Sequence, residues 1–400
     1  MRLVAIGDIG VVDDMMHIGD EAMFQALSDE LGARGAEIVA VSSAPAESAA
    51  RYRAGAVGRI RFDGLDRDAA ERRLAAVVAG VDAPSVLPVD DPAREVIAAV
   101  AAADGVVIAG AGNLASTWPL HVYERAALGR IAERLGKPLA ITGQTFGPDL
   151  RGRDRELVAQ LARGAALVGV REVASQALAA ELGVDARLGV DDASFLGGDS
   201  PGGPVPGGDA PDTPPRSGVL VSLSLHLGGA PRAETVERVA RLVDAAADTV
   251  GGPVRFHAHF GAASGIDSRG DAVLHDEVRA RMRTDAMVLP TGDPRPAADL
   301  ARRAGLLITG RYHPAVFAAA AGVPVLGLVA DEYTAIKQRG ALAHWGQSGT
   351  VPFARADADG IPRLHALWAS RARLFDEAAA RRPAHRADAA RWWDRIADLF

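Results

Sequence analysis

The sequence predicts an α/β protein with two doubly wound halves and a helical C-terminal end. Short apolar runs alternate with helix-forming stretches, a Gly/Pro-rich interruption falls midway, and a late strand ends in a basic and aromatic triplet. In the first half the strand-like runs are 3–6, 37–41, 105–109, 139–142 and 167–170; in the second they are 219–225, 254–259, 287–289, 306–309 and 325–329. Between them, 197–217 holds glycine or proline at 12 of 21 positions, which cannot pack a core and reads as a linker. The expected organisation is therefore a first lobe over 1–196, the linker 197–217, a second lobe over 218–360 and C-terminal helices over 361–400. Trp392, Ile396 and Leu399 share one face of the last helix, which is expected to pack back on the first lobe. A peripheral membrane contact through Trp392 and Trp393 is the alternative use of that face.

Composition narrows the class. At 400 residues, 48% hydrophobic and 24% charged, the chain has material for two ordinary cores. A net charge of -7 and a pI near 5.8 argue against a nucleic-acid surface. The absence of cysteine excludes disulfide and thiolate chemistry and suits a reducing compartment. The N-terminus is a strand running into a glycine turn rather than a basic region with a long apolar stretch, so no signal peptide is expected. The most apolar window, 96–112, is broken by Asp104 and Gly105 and is too short for a membrane span. A soluble cytoplasmic protein is the expectation.

The segment 306–328 carries the functional signal. A buried strand stops at Gly310 and presents Arg311, Tyr312 and His313 at the start of a helix, before Gly322 and Pro324 admit the next strand. Strand ends beside helix amino termini attract anions, so a guanidinium and an imidazole there read as an anion site with an acid/base group. His313 has a structural alternative, capping the helix that follows. Other signals are weaker: Gly110, Gly112 and Ala115 form a GxGxxA string without the acidic residue that closes a dinucleotide site. His257 and His259 share a strand face but have no third ligand at a recognised spacing, so no metal is expected. All but two of the 44 basic side chains are arginine, and neither lysine, Lys137 or Lys337, lies in a phosphate-loop pattern.

Several motifs in order make the chain resemble the polysaccharide pyruvyl transferase family, from the first strand to about Gly346. They are HIGDEAM (17–23), VVIAGAGNL (106–114), GKPLAITGQTFGP (136–148), VGVREVAS (168–175), VDDASF (190–195) and GRYHPAVFAAAAGVPVLGL (310–328) with YTAIKQRG (333–340). The resemblance implies two Rossmann-like lobes in a glycosyltransferase-B-like arrangement with a ligand cleft. It implies transfer of a pyruvyl group from phosphoenolpyruvate to a sugar of a cell-surface polysaccharide or its precursor, as a ketal, with release of phosphate. No cofactor or metal is implied; the partners are phosphoenolpyruvate and a sugar or lipid-linked glycan. The chain departs from the family pattern in four places: Glu172 replaces an aspartate, Tyr312 a leucine, Ala111 a glycine, and His17 an asparagine.

The chemistry states what each residue would do. Carboxylate and phosphate are both targets for arginine's planar fork, so Arg171 and Arg311, one from each lobe, would clamp the donor. His313 would exchange the proton of the attacking hydroxyl, since imidazole titrates near neutrality. Asp20 would contact acceptor hydroxyls or serve as a helix-start charge. Asp191 and Asp192 would bind sugar hydroxyls, supply the second acid/base group, or form a turn. Gly110, Gly112 and Gln144 would shape the cleft, Tyr312 would border the donor pocket, and Lys337 would approach the phosphate or remain a solvated helix charge. Two other classes stay open, a glycosyltransferase using a nucleotide sugar and a non-catalytic sugar-binding protein.

Overall fold

Apolar runs become strands where both faces of a sheet are covered, and this accounts for most of the fold. In chain order the computed structural model places β1 (Arg2–Ile6), β2 (Met15–His17), β3 (Glu37–Ser42), β4 (Gly55–Gly58) and β5 (Gly105–Ile108). Next come β6 (Leu139–Gln144), β7 (Leu167–Val170), β8 (Arg187–Leu188), β9 (Ser217–Ser222) and β10 (Val254–His257). The last are β11 (Phe260–Ala262), β12 (Ala286–Leu289), β13 (Ala304–Thr309), β14 (Val325–Val329) and β15 (Thr350–Pro352). The structure describes residues 1–197, 216–265 and 268–400. Most of the expected linker, 197–217, lies outside the described residues.

The chain divides into two units. The first comprises Met1–Val12, Met23–Asp192 and Ala387–Phe400, the second Asp13–Ala22 and Ala193–Arg386. In the first, a parallel sheet has the order β4-β3-β1-β5-β6-β7-β8, with Val4 opposite both Val39 and Val106. Alternate residues fill opposite cores: Val4, Ile6, Val39 and Ile108 face one way. Leu3, Ala5, Ile38 and Val107 face the other, against Trp392, Trp393 and Ile396 of the helix Arg371–Ala397. The Trp392 indole donates to Thr142 Oγ1 at 2.8 Å, so its polar edge is satisfied as well.

The second unit repeats the plan with the parallel order β12-β10-β9-β13-β14-β15. Val219, Val221, Phe256, Leu306, Ile308 and Leu326 build its core on one face. The helix Tyr312–Ala320 is buried along its whole length, which explains the apolar run that follows His313. In each sheet the strand order reverses direction once, between β1 and β5 and between β9 and β13. Those reversal points leave crevices at the strand carboxyl ends.

Two strands run shorter than their apolar runs suggest. The expected strand 219–225 ends at Ser222, because the Leu223 amide donates to His275 Nε2 (2.9 Å) rather than to a neighbouring strand. The run 254–259 ends at His257; the chain then turns into β11, which pairs antiparallel with β2. That ribbon fixes 13–22 in the second unit: Ile18 N donates to His259 O (2.9 Å), Ala263 N to Asp14 O (2.7 Å) and Ser264 Oγ to Asp14 Oδ2 (2.6 Å). Among the described residues no helix is long and apolar enough to cross a membrane.

Candidate functional site

The reversal point of the second sheet carries a set of ionisable side chains placed by short loops. Arg311 follows β13 and occupies the cap position of the helix Tyr312–Ala320. Its backbone is pinned twice, Arg311 N donating to Thr309 Oγ1 (2.9 Å) and Gln338 Nε2 donating to Arg311 O (3.0 Å). Its guanidinium forks onto Asp271, with Nε 2.8 Å from Oδ2 and Nη2 bonded to Oδ1. Asp271 is wholly buried, and its Oδ2 also accepts Phe260 N at 2.9 Å. Such a two-point pair fixes the plane of the arginine as well as its charge.

The free edge of the fork faces the β2 ribbon. Arg311 Nη1 lies 3.3 Å from His17 Nε2, and His17 Nδ1 lies 2.9 Å from Asp20 Oδ2. Nε2 can only accept from the guanidinium, which puts the ring proton on Nδ1, the nitrogen near the Asp20 carboxylate. Asp271, Arg311, His17 and Asp20 thus form one continuous polar chain. His313 is buried next to it, its ring against the backbone of Gly19, where a Cβ would fall 2.1 Å from Nδ1. Gly19 is required for His313 to occupy this place. The structural alternative of His313 as helix cap does not hold, because the helix already starts at Tyr312 and Arg311 takes the cap.

Tyr312 is buried and stands edge-on to His313 with ring centroids 5.1 Å apart. Lys337 is partly buried rather than a fully solvated charge: Nζ lies 3.9 Å from the Tyr333 ring centroid and 5.7 Å from that of Tyr312. Behind them lie His257, His259 and His275, all buried. Burial lowers His257 and His275 to a pKa of about 4 and puts His259 well below the ordinary histidine value, so the layer is neutral at pH 7. Among the described residues no group of three or more His, Cys, Asp or Glu could hold a metal ion.

The other sequence-derived residues sit in the first unit. Arg171, expected to offer its fork to a ligand, is 1% exposed and spends it internally. Its Nη1 donates to Asp191 Oδ2 (2.8 Å) and its Nε to Thr145 Oγ1 (3.0 Å), with Glu172 Oε2 3.7 Å away. Glu172 in turn accepts from Ser175 Oγ and Thr145 Oγ1. Asp192 departs most from ordinary behaviour. Burial, reinforced by Asp191, raises its pKa to about 7, although Thr142 Oγ1 lies 2.9 Å from Oδ2. Gly110 and Gly143 make room for this carboxyl: a Cβ at Gly143 would fall 2.5 Å from Asp192 Oδ2, and one at Gly110 would overlap Met23. Gly112 continues the same loop. Gln144 is buried and donates from Nε2 to Ala109 O at 2.5 Å, tying the end of β6 to that of β5.

With this geometry in hand the relatives can be placed. The sequence pattern described as polysaccharide pyruvyl transferase matches residues 17–332, from His17 through the Arg311 loop to the start of the next helix. The chain belongs to the polysaccharide pyruvyl transferase family. It is accordingly an enzyme, and its family pattern opens on the β2 segment that the fold gives to the second unit. No curated protein matches the sequence. Among solved structures, the enzyme is similar to TcCGT1 in complex with UDP, with 10% identity, a TM-score of 0.58, and 100% of this chain and 99% of that one covered. It is also similar to a UDP-GlcNAc 2-epimerase from Neisseria meningitidis bound to UDP-GlcNAc (9%, 0.56, 100% and 99%). A third is a glycosyltransferase from Rickettsia africae (10%, 0.53, 100% and 95%). At such identities the likeness is one of fold, a glycosyltransferase-B-like α/β fold.

Asp271, His17 and the packing role of Gly19 are additions that residue patterns did not single out as site members. Asp271 looks like any first-turn helix acid, since Asp271–Arg279 opens with it. His17 had a signal, its place immediately before the Ile18-Gly19-Asp20 turn in the family motif.

Proposed function

We propose that the enzyme transfers the pyruvyl group of phosphoenolpyruvate to a sugar of a cell-surface polysaccharide or its precursor in the cytoplasm, forming a ketal and releasing phosphate. The observation that carries this is the presence of Arg311, fixed in plane by Asp271, and buried His313 two residues on, both at the reversal point of the second sheet. Arg311 presents Nη1 to a donor anion while Asp271 holds Nε and Nη2. His313 takes the proton of the attacking hydroxyl. Lys337 supplies a second positive charge for the phosphate.

Ketal formation delivers one proton to carbon and removes one from each of two hydroxyls. The first goes to the methylene carbon of the donor, turning it into a methyl group and leaving the adjacent carbon electron-poor. A sugar hydroxyl adds to that carbon and loses its proton to a base; a second hydroxyl then displaces phosphate, which carries that hydroxyl's proton away, and closes the ring. A carboxyl that keeps its proton near neutrality suits an acid step, and Asp192 in the first unit, raised to about 7, has that property. Arg171 acts through Asp191, the carboxylate beside Asp192, rather than on the donor.

Incubation with phosphoenolpyruvate and candidate glycans, followed by phosphate assay and mass analysis, tests the reading. The expected product is heavier than the acceptor by one pyruvate less one water. A nucleotide sugar that raises the melting temperature where phosphoenolpyruvate does not would move the assignment to glycosyl transfer.

A further inference from the structure

The reversal point of the first sheet, between β1 and β5, holds a second polar cluster that the pyruvyl chemistry above does not use. Asp8 follows β1, Asn113 follows β5, and the helix Pro119–Arg134 begins beside them with Trp118 at its cap position and His121 in its first turn. Asp8 is gripped by Arg125 Nη2 (2.7 Å), Arg59 Nη1 (3.1 Å), Asn113 Nδ2 and His121 Nδ1 (3.1 Å). Burial opposes its charge, yet Arg125, His121 and Arg59 hold its pKa well below the usual carboxylate value. Beneath it, buried Glu124 accepts Arg59 Nε (2.9 Å), Ile60 N (3.2 Å) and Arg125 Nη1 (3.2 Å).

Two arginines meet two carboxylates here, so the cluster is close to neutral and its cations are already spent. A phosphate or nucleotide finds no uncommitted charge. What the cluster does offer is orientation. His121 Nδ1 is held at once by Asp8 Oδ1 (3.1 Å) and Arg125 Nη1 (3.2 Å), which fixes the ring and leaves Nε2 as the remaining hydrogen-bonding nitrogen on an imidazole whose side chain is 30% exposed. Beside it the Trp118 indole is 44% exposed and edge-on to the His121 ring, centroids 6.2 Å apart. Asn113, itself 5% exposed, carries a buried Oδ1 without a hydrogen-bond partner among the described residues, an acceptor left over next to the same carboxylate.

An exposed apolar plate, an oriented imidazole and a spare amide oxygen at a neutral strand-end crevice match a pyranose, with its apolar C–H face and ring of hydroxyls. We propose that Trp118, His121 and Asn113, set in place by Asp8, form a pyranose subsite in the first unit that takes the acceptor sugar. This rests on the reading of the enzyme as sugar-directed.

The test is calorimetric or saturation-transfer titration of the full chain with methyl β-D-glucopyranoside, methyl β-D-galactopyranoside and methyl N-acetyl-β-D-mannosaminide. At least one probe is expected to bind. Trp118→Ala and His121→Ala should each weaken it by about 10-fold or more, and Trp118→Phe should stay within about threefold of wild type. His121→Gln, which keeps a hydrogen-bonding side chain, should fall between wild type and His121→Ala. Binding of none of the three probes, or wild-type affinity in both alanine variants, overturns the subsite. Phosphoenolpyruvate titrated separately keeps the two readings apart: its failure to bind wild type defeats pyruvyl transfer and leaves a glycoside site at Trp118 standing.

Discussion

Asp271 holds Arg311 by both carboxylate oxygens, and the pair is closed from behind because Asp271 has no exposed surface. A buried carboxylate bonded to one arginine and one backbone amide has little purpose other than to set that arginine's plane. It positions Arg311 and need not touch the donor. Asp271→Asn keeps the amide contact with Phe260 but removes the compensating charge, so Arg311 loses its fixed orientation. Phosphoenolpyruvate KM should rise by about 10-fold or more with a smaller change in kcat. Asp271→Ala breaks the buried pair outright and should cost about 3–5 kcal/mol of stability in denaturant unfolding. An unchanged KM in the asparagine variant would remove the positioning role.

Arg311→Lys tests the fork directly. Lysine has one ammonium and cannot hold Asp271 at two points while presenting a second nitrogen toward His17, where Arg311 Nη1 now lies 3.3 Å from Nε2. Donor use should weaken sharply in kcat/KM despite the retained charge. A variant with wild-type kcat/KM would show that charge alone suffices.

His313→Ala should separate chemistry from binding. Its ring is buried against Gly19 and makes none of the bonds that hold Arg311 to Asp271, so its loss leaves the donor's charged partners in place. Turnover is expected to fall by roughly 10²- to 10⁴-fold while donor affinity measured by calorimetry changes little. The reciprocal change, Gly19→Ala, puts a methyl group into the same space and should reproduce the loss. If Gly19→Ala turns over normally, the packing of His313 against the β2 segment does not matter to the reaction.

How much of this was legible in the sequence differs between the two units for a physical reason. The parallel strands were readable because burial on both faces makes them apolar throughout, as in Leu306–Ile308, buried on every residue. The β2–β11 ribbon was not, because three-residue strands carrying His17 and Gly261 have no periodicity to detect. It is that ribbon that brings His17, Gly19 and Asp20 to Arg311. Arg171 shows the opposite case: its residue type and its place after a strand are visible in the sequence, but its partner is not. Only the pairing of β7 with β8, Val170 opposite Leu188, brings Arg171 and Asp191 to one edge of the sheet. Spacing of 20 residues in sequence says nothing of that.

The neutral histidine layer makes the second unit acid-sensitive. His257 and His275 have folded pKa values of about 4 against an ordinary value near 6.5, so the unfolded chain binds more protons between those limits. Their contribution is present above about pH 6.5 and is lost as pH falls toward 4, by about 3 kcal/mol for His275, which is buried and accepts Leu223 N. Melting temperature should drop steeply over that window. His275→Gln, which cannot gain the proton, should flatten the slope, and an unaltered slope would place the acid-sensitive groups elsewhere.

Asp192 runs with the opposite sign. Its folded pKa of about 7 exceeds the ordinary carboxyl value of 3.8, so the folded chain binds the extra proton between them, and this group's contribution to stability falls as pH rises from about 4 to 7. Asp192→Asn mimics the protonated form, keeps a partner for Thr142 Oγ1 and ends the repulsion with Asp191. The variant should therefore be at least as stable as wild type at pH 8 by thermal melting. If Asp192 serves the reaction as an acid, activity depends on the protonated carboxyl, and wild-type kcat should decline above about pH 7. The asparagine variant would then lose turnover at all pH values while gaining or holding stability. That opposition between stability and rate is the decisive readout, because a purely structural carboxyl would not lose rate on substitution by its own neutral isostere. Full turnover in the variant, with the alkaline decline still present, would assign the proton to another group.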